Sequence, residues 1–514
     1  MVNIADDLDL RAAEVPERDG LIWEDGRRWT FRQLDEAASS IAESLERHGV
    51  TVGERVGLYL RNGPTFVTAL FGAWKAGAVP VTMSSLYNAE ELAGCVAKTE
   101  PVVVLTDGHG WDTASAMADG ADLRVLGDEV AEAAPVLPAP EGGPSGVRQA
   151  PSMAHDAEAV VLFTGGTTGE PKAVSMTHGG VRDALAQLAR ASKGGKPGPY
   201  EMTPAEVAPN LVCLPLFHSG GQHAFLFAWF VGRTVVLMER FRVPVLDALV
   251  NEHGVDNLFL MPTMLYDLVH HDPTPDLTPV KSVLISGQAL DPTLRARFEE
   301  RFGIPILSNY GATEFGHVAG WTAKDLREGR WKPGAAGRVY DGVELEICDE
   351  EGRALPEGEV GEICVRASLS SGYVDAGGSD GEQALVEDGW VHSGDIGYVD
   401  ADGVLFLVGR KREMIKTGGF QVWPAELERA LNEDPAVKEV AVLGVPHERF
   451  GEIPKAFVVV ADDAEPGDDL AEHLIEVTRS KLAHFKAIRE VEFVASLPRT
   501  EAGKIRRGDL AVSG

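Results

Sequence analysis

Downstream of Thr30 the apolar residues Leu34, Ala38, Ile41 and Leu45 return at helical spacing with polar residues between them, a pattern that predicts an amphipathic helix burying one stripe. Thr30 and Gln33 make a capping box at its start, and Gly49 supplies its stop. The period then changes. ERVGLYL reads as a strand, a Gly-Pro turn follows, a second helical pattern runs through Trp74, and AGAVPV reads as a buried strand. Strands and helices alternating in this way predict an α/β fold with layered sheets and helices. The most apolar stretch, AFLFAWFVG at 224–232, ends at Arg233 and is too short to cross a bilayer, so it is assigned to the core.

Further along, Asp402-Gly403 separates the apolar runs IGYV and VLFLV, and such a pair tolerates the positive φ of a tight turn, so a β-hairpin is predicted there. Beyond GRKRE the pattern becomes that of a small α+β unit. Pro424 opens the helix PAELERALN, VKEVAVLGV and KAFVVVA read as strands, and DDLAEHLIEVTRSKL reads as a helix. The predicted organisation is a large N-terminal α/β domain of several subdomains, residues 1–411, and a small α+β C-terminal domain, residues 412–514. Residues 127–156, rich in Ala, Pro, Gly and acids, and the loose stretch 191–204 are assigned as solvated connections.

A chain of 514 residues has room for more than one domain and a large core, and its 44% hydrophobic and 25% charged residues are ordinary globular usage. Forty-seven Lys and Arg against 79 Asp and Glu give a net charge of −32, which repels a nucleic-acid backbone or an anionic membrane. The four cysteines, Cys95, Cys213, Cys348 and Cys364, form no CxxC pair, which argues against a zinc site or a disulfide framework. The acidic N-terminus lacks the basic and apolar regions of a signal peptide, so a cytoplasmic location is expected.

The sharpest chemical feature is TGGTTGEPK at 164–172, preceded by the apolar run AVVLF. Backbone N–H groups and threonine hydroxyls in a glycine-rich loop after a buried strand can surround phosphate oxygens, with Lys172 adding positive charge. It is not a Walker A loop, because Glu170 and Pro171 separate Gly169 from Lys172. Read alone, such a turn is as readily a flexible connection. The loop resembles the phosphate loop of the adenylate-forming superfamily of acyl-CoA synthetases, luciferases and peptide-synthetase adenylation domains, with Gly165 standing where that family usually has Ser. LPLFH at 214–218, SGQAL at 286–290, YGATE at 310–314, HSGD at 392–395, GRKREMIK at 409–416 and PRTEAGK at 498–504 resemble further motifs of that family, in its order.

The resemblance assigns roles to residues that read blandly by themselves. Glu314, which alone would be a solvated turn acid, is expected to hold Mg²⁺ together with Thr168, a hard cation taking oxygen ligands. Thr164, Thr167, Thr168, Lys172 and Thr313 are expected at the ATP phosphates. Tyr310, Gly287, Gln288 and Ala289 match the segments that enclose adenine, Asn309, Gly311 and Ala312 beside Tyr310 are expected to bind the cofactor too, and Asp395 and Arg410 match those that hold the ribose. His218 falls where the family places a His or aromatic between the carboxylate and thiol sites. Lys504 matches the lysine that bridges the incoming carboxylate and the α-phosphate, where an ammonium offsets the charge of two anions pushed together.

What the resemblance implies is activation of a carboxylic acid by ATP to an acyl-adenylate with loss of pyrophosphate, then transfer to the thiol of coenzyme A. The family performs both steps in one site by rotating the C-terminal domain about a hinge that maps to Arg412. That rotation presents Lys416, Gly418 and Gly419 to the pantetheine arm. The sequence leaves the acceptor open between coenzyme A, a carrier protein acting in trans, an amine or another nucleophile, and leaves the oligomeric state open. The stretches expected to line the acyl pocket carry His223 and His317 among apolar residues, which suits a medium-sized or aromatic acid at least as well as a long chain.

Overall fold

The predicted capping box forms: Thr30 Oγ1 accepts from the Gln33 N–H at 3.3 Å and Gln33 Oε1 accepts from the Thr30 N–H at 2.9 Å, and the helix runs Phe31–Arg47 with its apolar stripe buried. The structure is a computed structural model that describes residues 2–118, 124–126, 148–164, 172–192, 207–287, 290, 292–366, 369–374, 386–387, 389–418, 420–461, 464–499 and 505–511. The apolar stretch at 224–232 belongs to the helix Ser219–Phe230. Trp229 there meets Phe31, Phe71 and Phe225 at centroid distances of 5.5, 4.9 and 4.6 Å, tying three helices into one aromatic core. Buried Arg11 donates to the terminal carbonyls of Trp229 and Phe230 at 3.1 and 2.9 Å, closing the helix C-terminus with a cation.

Lys75 ends the helix Pro64–Lys75 with no exposure at all. Its Nζ meets Asp35 Oδ1 at 2.6 Å, the Arg148 carbonyl at 2.5 Å, and Asp9. Burial raises the Asp35 pKa above its ordinary value against the pull of Lys75. Lys75→Met is therefore expected to cost about 3–5 kcal/mol, because it strands a buried acid. Thermal melting should show the deficit shrinking as pH falls toward the raised pKa, since the folded state then buries a neutral carboxyl. The same cluster corrects the expectation for 127–156. Residues 127–147 lie outside the described residues, but the following ones dock on the N-terminal helix: Ala150 N donates to Asp9 Oδ2 and Asn3 Nδ2 to the Pro151 carbonyl, both at 2.9 Å. Residues 193–206, most of the stretch 191–204, also lie outside the described residues.

Two sheets make up the N-terminal part among the described residues. One, of seven strands, runs in the order Ser370–Tyr373, Lys172–Thr177, Glu158–Thr164, Val79–Thr82, Arg55–Tyr59, Val103–Thr106, Arg124–Leu126. The other has fourteen strands. Its centre is parallel, with Asn210–Val212, Asn257–Leu260, Ser282–Ile285 and Ile306–Ala312 side by side, and its far half is antiparallel. The predicted hairpin pairs Trp390–Val399 with Val404–Arg410, and Gly403 at φ +71° supplies the positive φ. After Arg410 a short 3₁₀ turn, Lys411–Glu413, leads to a separate five-stranded sheet that begins at Ile415. The helices Pro424–Asn432 and Asp468–Lys481 and the strands Val437–His447 and Gly451–Val460 fall where the sequence predicts them. No helix among the described residues is long and apolar enough to cross a membrane, and all four cysteines are free and buried.

Candidate active site

Because the central strands of the larger sheet are parallel, their carboxyl ends emerge on one side, the side where open α/β sheets hold ligands. The residues that follow those ends are the predicted ones. His218 comes after Asn210–Val212, Gly287 after Ser282–Ile285, and Thr313 and Glu314 after Ile306–Ala312. Gly287 has φ +88°, and a Cβ on it would sit 2.6 Å from the Met261 methyl, so the backbone here approaches as only glycine allows. Gly311 is equally constrained, with the Gly316 carbonyl 2.1 Å from where its Cβ would be, which lets the hairpin into Gly316–Gly320 close tightly beside Ala312.

Asp395 and Arg410 are register partners across the hairpin, and Arg410 Nε donates to Asp395 Oδ1 at 2.9 Å. Tyr310 donates its hydroxyl to Asp395 Oδ2 at 2.8 Å. Four strand-to-strand steps of roughly 4.8 Å separate the Tyr310 and Asp395 strands along the sheet, about 19 Å if it were flat. The sheet must therefore curl strongly to close this contact. Burial, and then the adjacent Asp395 carboxylate, push the Tyr310 phenol well above its ordinary pKa, so it acts as a fixed donor. Each carboxylate oxygen has accepting capacity beyond the one bond it makes here, which leaves Asp395 able to take a ribose hydroxyl. Next to Tyr310, the buried Asn309 Oδ1 has no hydrogen-bond partner among the described residues, as a group that waits for an adenine amino donor would.

A second cluster joins the two sheets. Tyr373, which the sequence did not single out, lies on the strand paired with Lys172–Thr177. Its hydroxyl is 3.4 Å from Glu314 Oε1, and Lys172 Nζ sits 5.1 Å from the centre of its ring. Lys172 and Glu314, which the sequence leads one to expect at the phosphates and at Mg²⁺, thus meet at one tyrosine. A single half-buried carboxylate suits Mg²⁺, which typically takes one or two carboxylates and completes its shell with phosphate oxygens and water. Thr313 is buried, and its hydroxyl is 2.8 Å from that of Ser219, again a partner the sequence did not indicate. His218 caps the helix Ser219–Phe230, its Nδ1 accepting from the Gly220 N–H at 3.2 Å.

Thr164 ends its strand in register with Lys172, with its side chain outside the described residues. Thr167, Thr168, Gln288, Ala289, Gly419 and Lys504 lie outside the described residues altogether. Lys416 is exposed on Ile415–Thr417, and Gly418 turns the short hairpin to Phe420–Val422.

Residues 8–374 match the AMP-binding enzyme family, and residues 426–504 match the AMP-binding enzyme C-terminal domain. The chain belongs to the AMP-binding enzyme family. It is 30% identical to 4-coumarate–CoA ligase 3 of Oryza sativa subsp. japonica over 97% of this chain and 90% of that protein. It is also 30% identical to a feruloyl-CoA synthase of Amycolatopsis, over 98% of this chain and 97% of the relative. Among solved structures it resembles o-succinylbenzoate CoA synthetase from Bacillus subtilis bound to its acyl-adenylate, with a TM-score of 0.83 and 27% identity over 99% of this chain and 98% of the other. This AMP-binding enzyme is an adenylate-forming ligase, and the α/β architecture with a second, C-terminal unit is the one its relatives share.

Proposed function

We propose that this AMP-binding enzyme joins an organic carboxylic acid to coenzyme A through an acyl-adenylate formed in the cleft at the carboxyl ends of the parallel strands. In the first half-reaction a carboxylate oxygen attacks the α-phosphorus of ATP, the bond from that phosphorus to the bridging oxygen breaks, and pyrophosphate leaves. In the second, the thiol sulfur of coenzyme A attacks the acyl carbon, the thiol proton passes to solvent, and AMP leaves. Asp395 carries the most weight in this assignment, since Tyr310 and Arg410 hold both of its oxygens in place while leaving them able to accept from a nucleotide sugar.

Around it, Asn309, Tyr310, Gly311, Ala312 and Gly287, with Gln288 and Ala289, enclose adenine. Thr164, Thr167, Thr168, Thr313 and Lys172 take the phosphates. Glu314 and Thr168 hold Mg²⁺, which when bound neutralises phosphate charge. On a chain of net charge −32 such local cations matter more than usual, because the global field opposes ATP, the acid and coenzyme A alike. His218 stands between the carboxylate and thiol sites. Residues 412–514 act as a mobile domain turning at Arg412, which brings Lys504 to the cleft for the first step and Lys416, Gly418 and Gly419 for the second. The 3₁₀ turn Lys411–Glu413 between the two units supports that placement.

Pyrophosphate release with ATP and Mg²⁺ across short, medium, long and aromatic acids, each with and without coenzyme A, tests the assignment. The expected result is release that requires one class of acid and yields its coenzyme A thioester. Acid-dependent release without thioester would move the acceptor to a carrier-protein thiol or an amine. No release with any acid would overturn the assignment.

A further inference from the structure

His223 and His317 come from the helix Ser219–Phe230 and the strand Gly316–Gly320, and their rings face each other with centroids 6.2 Å apart and planes tilted by 60°. Both lie on the cleft side. His223 follows Ser219 by one helical turn and so shares the face that bonds Thr313, while His317 pairs across the tight hairpin with Gly311, next to Tyr310. Phe259 meets His317 edge-on, at 6.4 Å and 77°. His317 Nδ1 is shut away from solvent and has no hydrogen-bond partner among the described residues. Burial lowers both imidazole pKa values, to about 4 for His223 and about 3 for His317, where the facing His223 adds to the effect. At neutral pH each ring therefore offers one N–H and one lone pair.

We propose that this facing pair is a hydrogen-bonding subsite of the acyl pocket, and that the acid activated here carries an uncharged hydroxyl on an apolar, preferably aromatic, body. The inference rests on the function proposed above. One oxygen between the rings can accept from the N–H of one and donate to the lone pair of the other at ordinary lengths of about 2.8 Å. With one ring presenting its N–H and the other its lone pair, a single hydroxyl oxygen satisfies both at once. A second carboxylate donates nothing and would need a cation that two neutral imidazoles do not supply, and an ammonium accepts nothing. Phe259 supplies the apolar wall beside the hydroxyl.

The test compares kcat/KM for acid-dependent pyrophosphate release within matched pairs: 4-hydroxybenzoate against benzoate, 4-hydroxycinnamate against cinnamate, and ω-hydroxyoctanoate against octanoate, with suberate as the dicarboxylate. The hydroxy acid of the preferred pair should exceed its deoxy partner by about 10²-fold or more, since a site built to bond a hydroxyl rejects the analogue that lacks it. His317→Phe should remove most of that ratio by slowing the hydroxy acid alone, and His317→Gln should restore part of it, with the KM for ATP unchanged in both. The wild-type ratios decide the matter even if the variants fold poorly. Equal or better use of the deoxy acid in every pair, or preference for suberate, overturns this subsite while leaving the ligase assignment intact. Absence of release with all these acids and with the wider panel overturns both.

Discussion

Lys504→Ala is expected to lower acid-dependent pyrophosphate release by about 10²–10³-fold or more while leaving the reaction of supplied acyl-adenylate with coenzyme A within several-fold of normal. The first step drives a carboxylate against the α-phosphate of a polyanion, and a preorganised ammonium aimed at that point contributes a term of this size. The second step has a neutral thiol or its thiolate attacking an acyl carbon, and by then the lysine has no charge to bridge. The chain on either side of residue 504 is firmly held. Arg499 and Ile505 form an antiparallel bridge, and Arg499 donates to Glu439 at 2.7 Å. Arg507 fastens the following turn to Glu428 at 2.7 and 3.1 Å and to the Val442 carbonyl at 2.9 Å. A C-terminal unit that moves as one body can present or withdraw a side chain that it carries. Separate assays of the two half-reactions decide it: equal loss of both would mean that Lys504 serves the fold or the domain motion rather than adenylation.

The parts of the molecule that were legible in the sequence are those governed by neighbours along the chain. The Thr30 capping box, the hairpin at Gly403 and the C-terminal helices each follow from a few consecutive side chains, and each forms as expected. Asp395 and Arg410 were placed together correctly because a hairpin is itself a local device. Contacts made by sheet order were not legible. Tyr373 reaches Glu314 only because Ser370–Tyr373 adds to the edge of a sheet whose neighbouring strand, Lys172–Thr177, lies far away in sequence, and nothing in SSGYV signals that pairing. Ser219 meets Thr313 through the same long-range geometry. His218 was singled out through its motif, but its capping bond to Gly220 depends on where the helix starts, which a glycine pair leaves undetermined from sequence. The facing of His223 and His317 required both the helix phase and the hairpin register.

Asp395→Ala should weaken ATP and AMP binding by about 10- to 100-fold, the effect of losing hydrogen bonds to a charged acceptor. The same substitution also removes the partner of the Tyr310 hydroxyl and of Arg410, so some loss of stability accompanies it. Melting curves with and without nucleotide separate the two effects, because a ligand that binds only the folded state raises the midpoint by an amount that grows with the logarithm of one plus its concentration over Kd. In the wild type, AMP should raise the melting temperature. In Asp395→Ala the free protein should melt slightly lower, and the same AMP concentration should give little or no rise. Asp395→Asn keeps the shape but loses the charge and should fall between them. Tyr310→Phe removes one bond to the carboxylate while leaving its charge, and should weaken nucleotide binding less than Asp395→Asn does. If calorimetry gives Asp395→Ala the wild-type affinity for AMP, the carboxylate is a structural link between curled ends of the sheet, and the ribose lies elsewhere. If Tyr310→Phe is as damaging as Asp395→Ala, the phenol itself must meet the nucleotide rather than only positioning the acid.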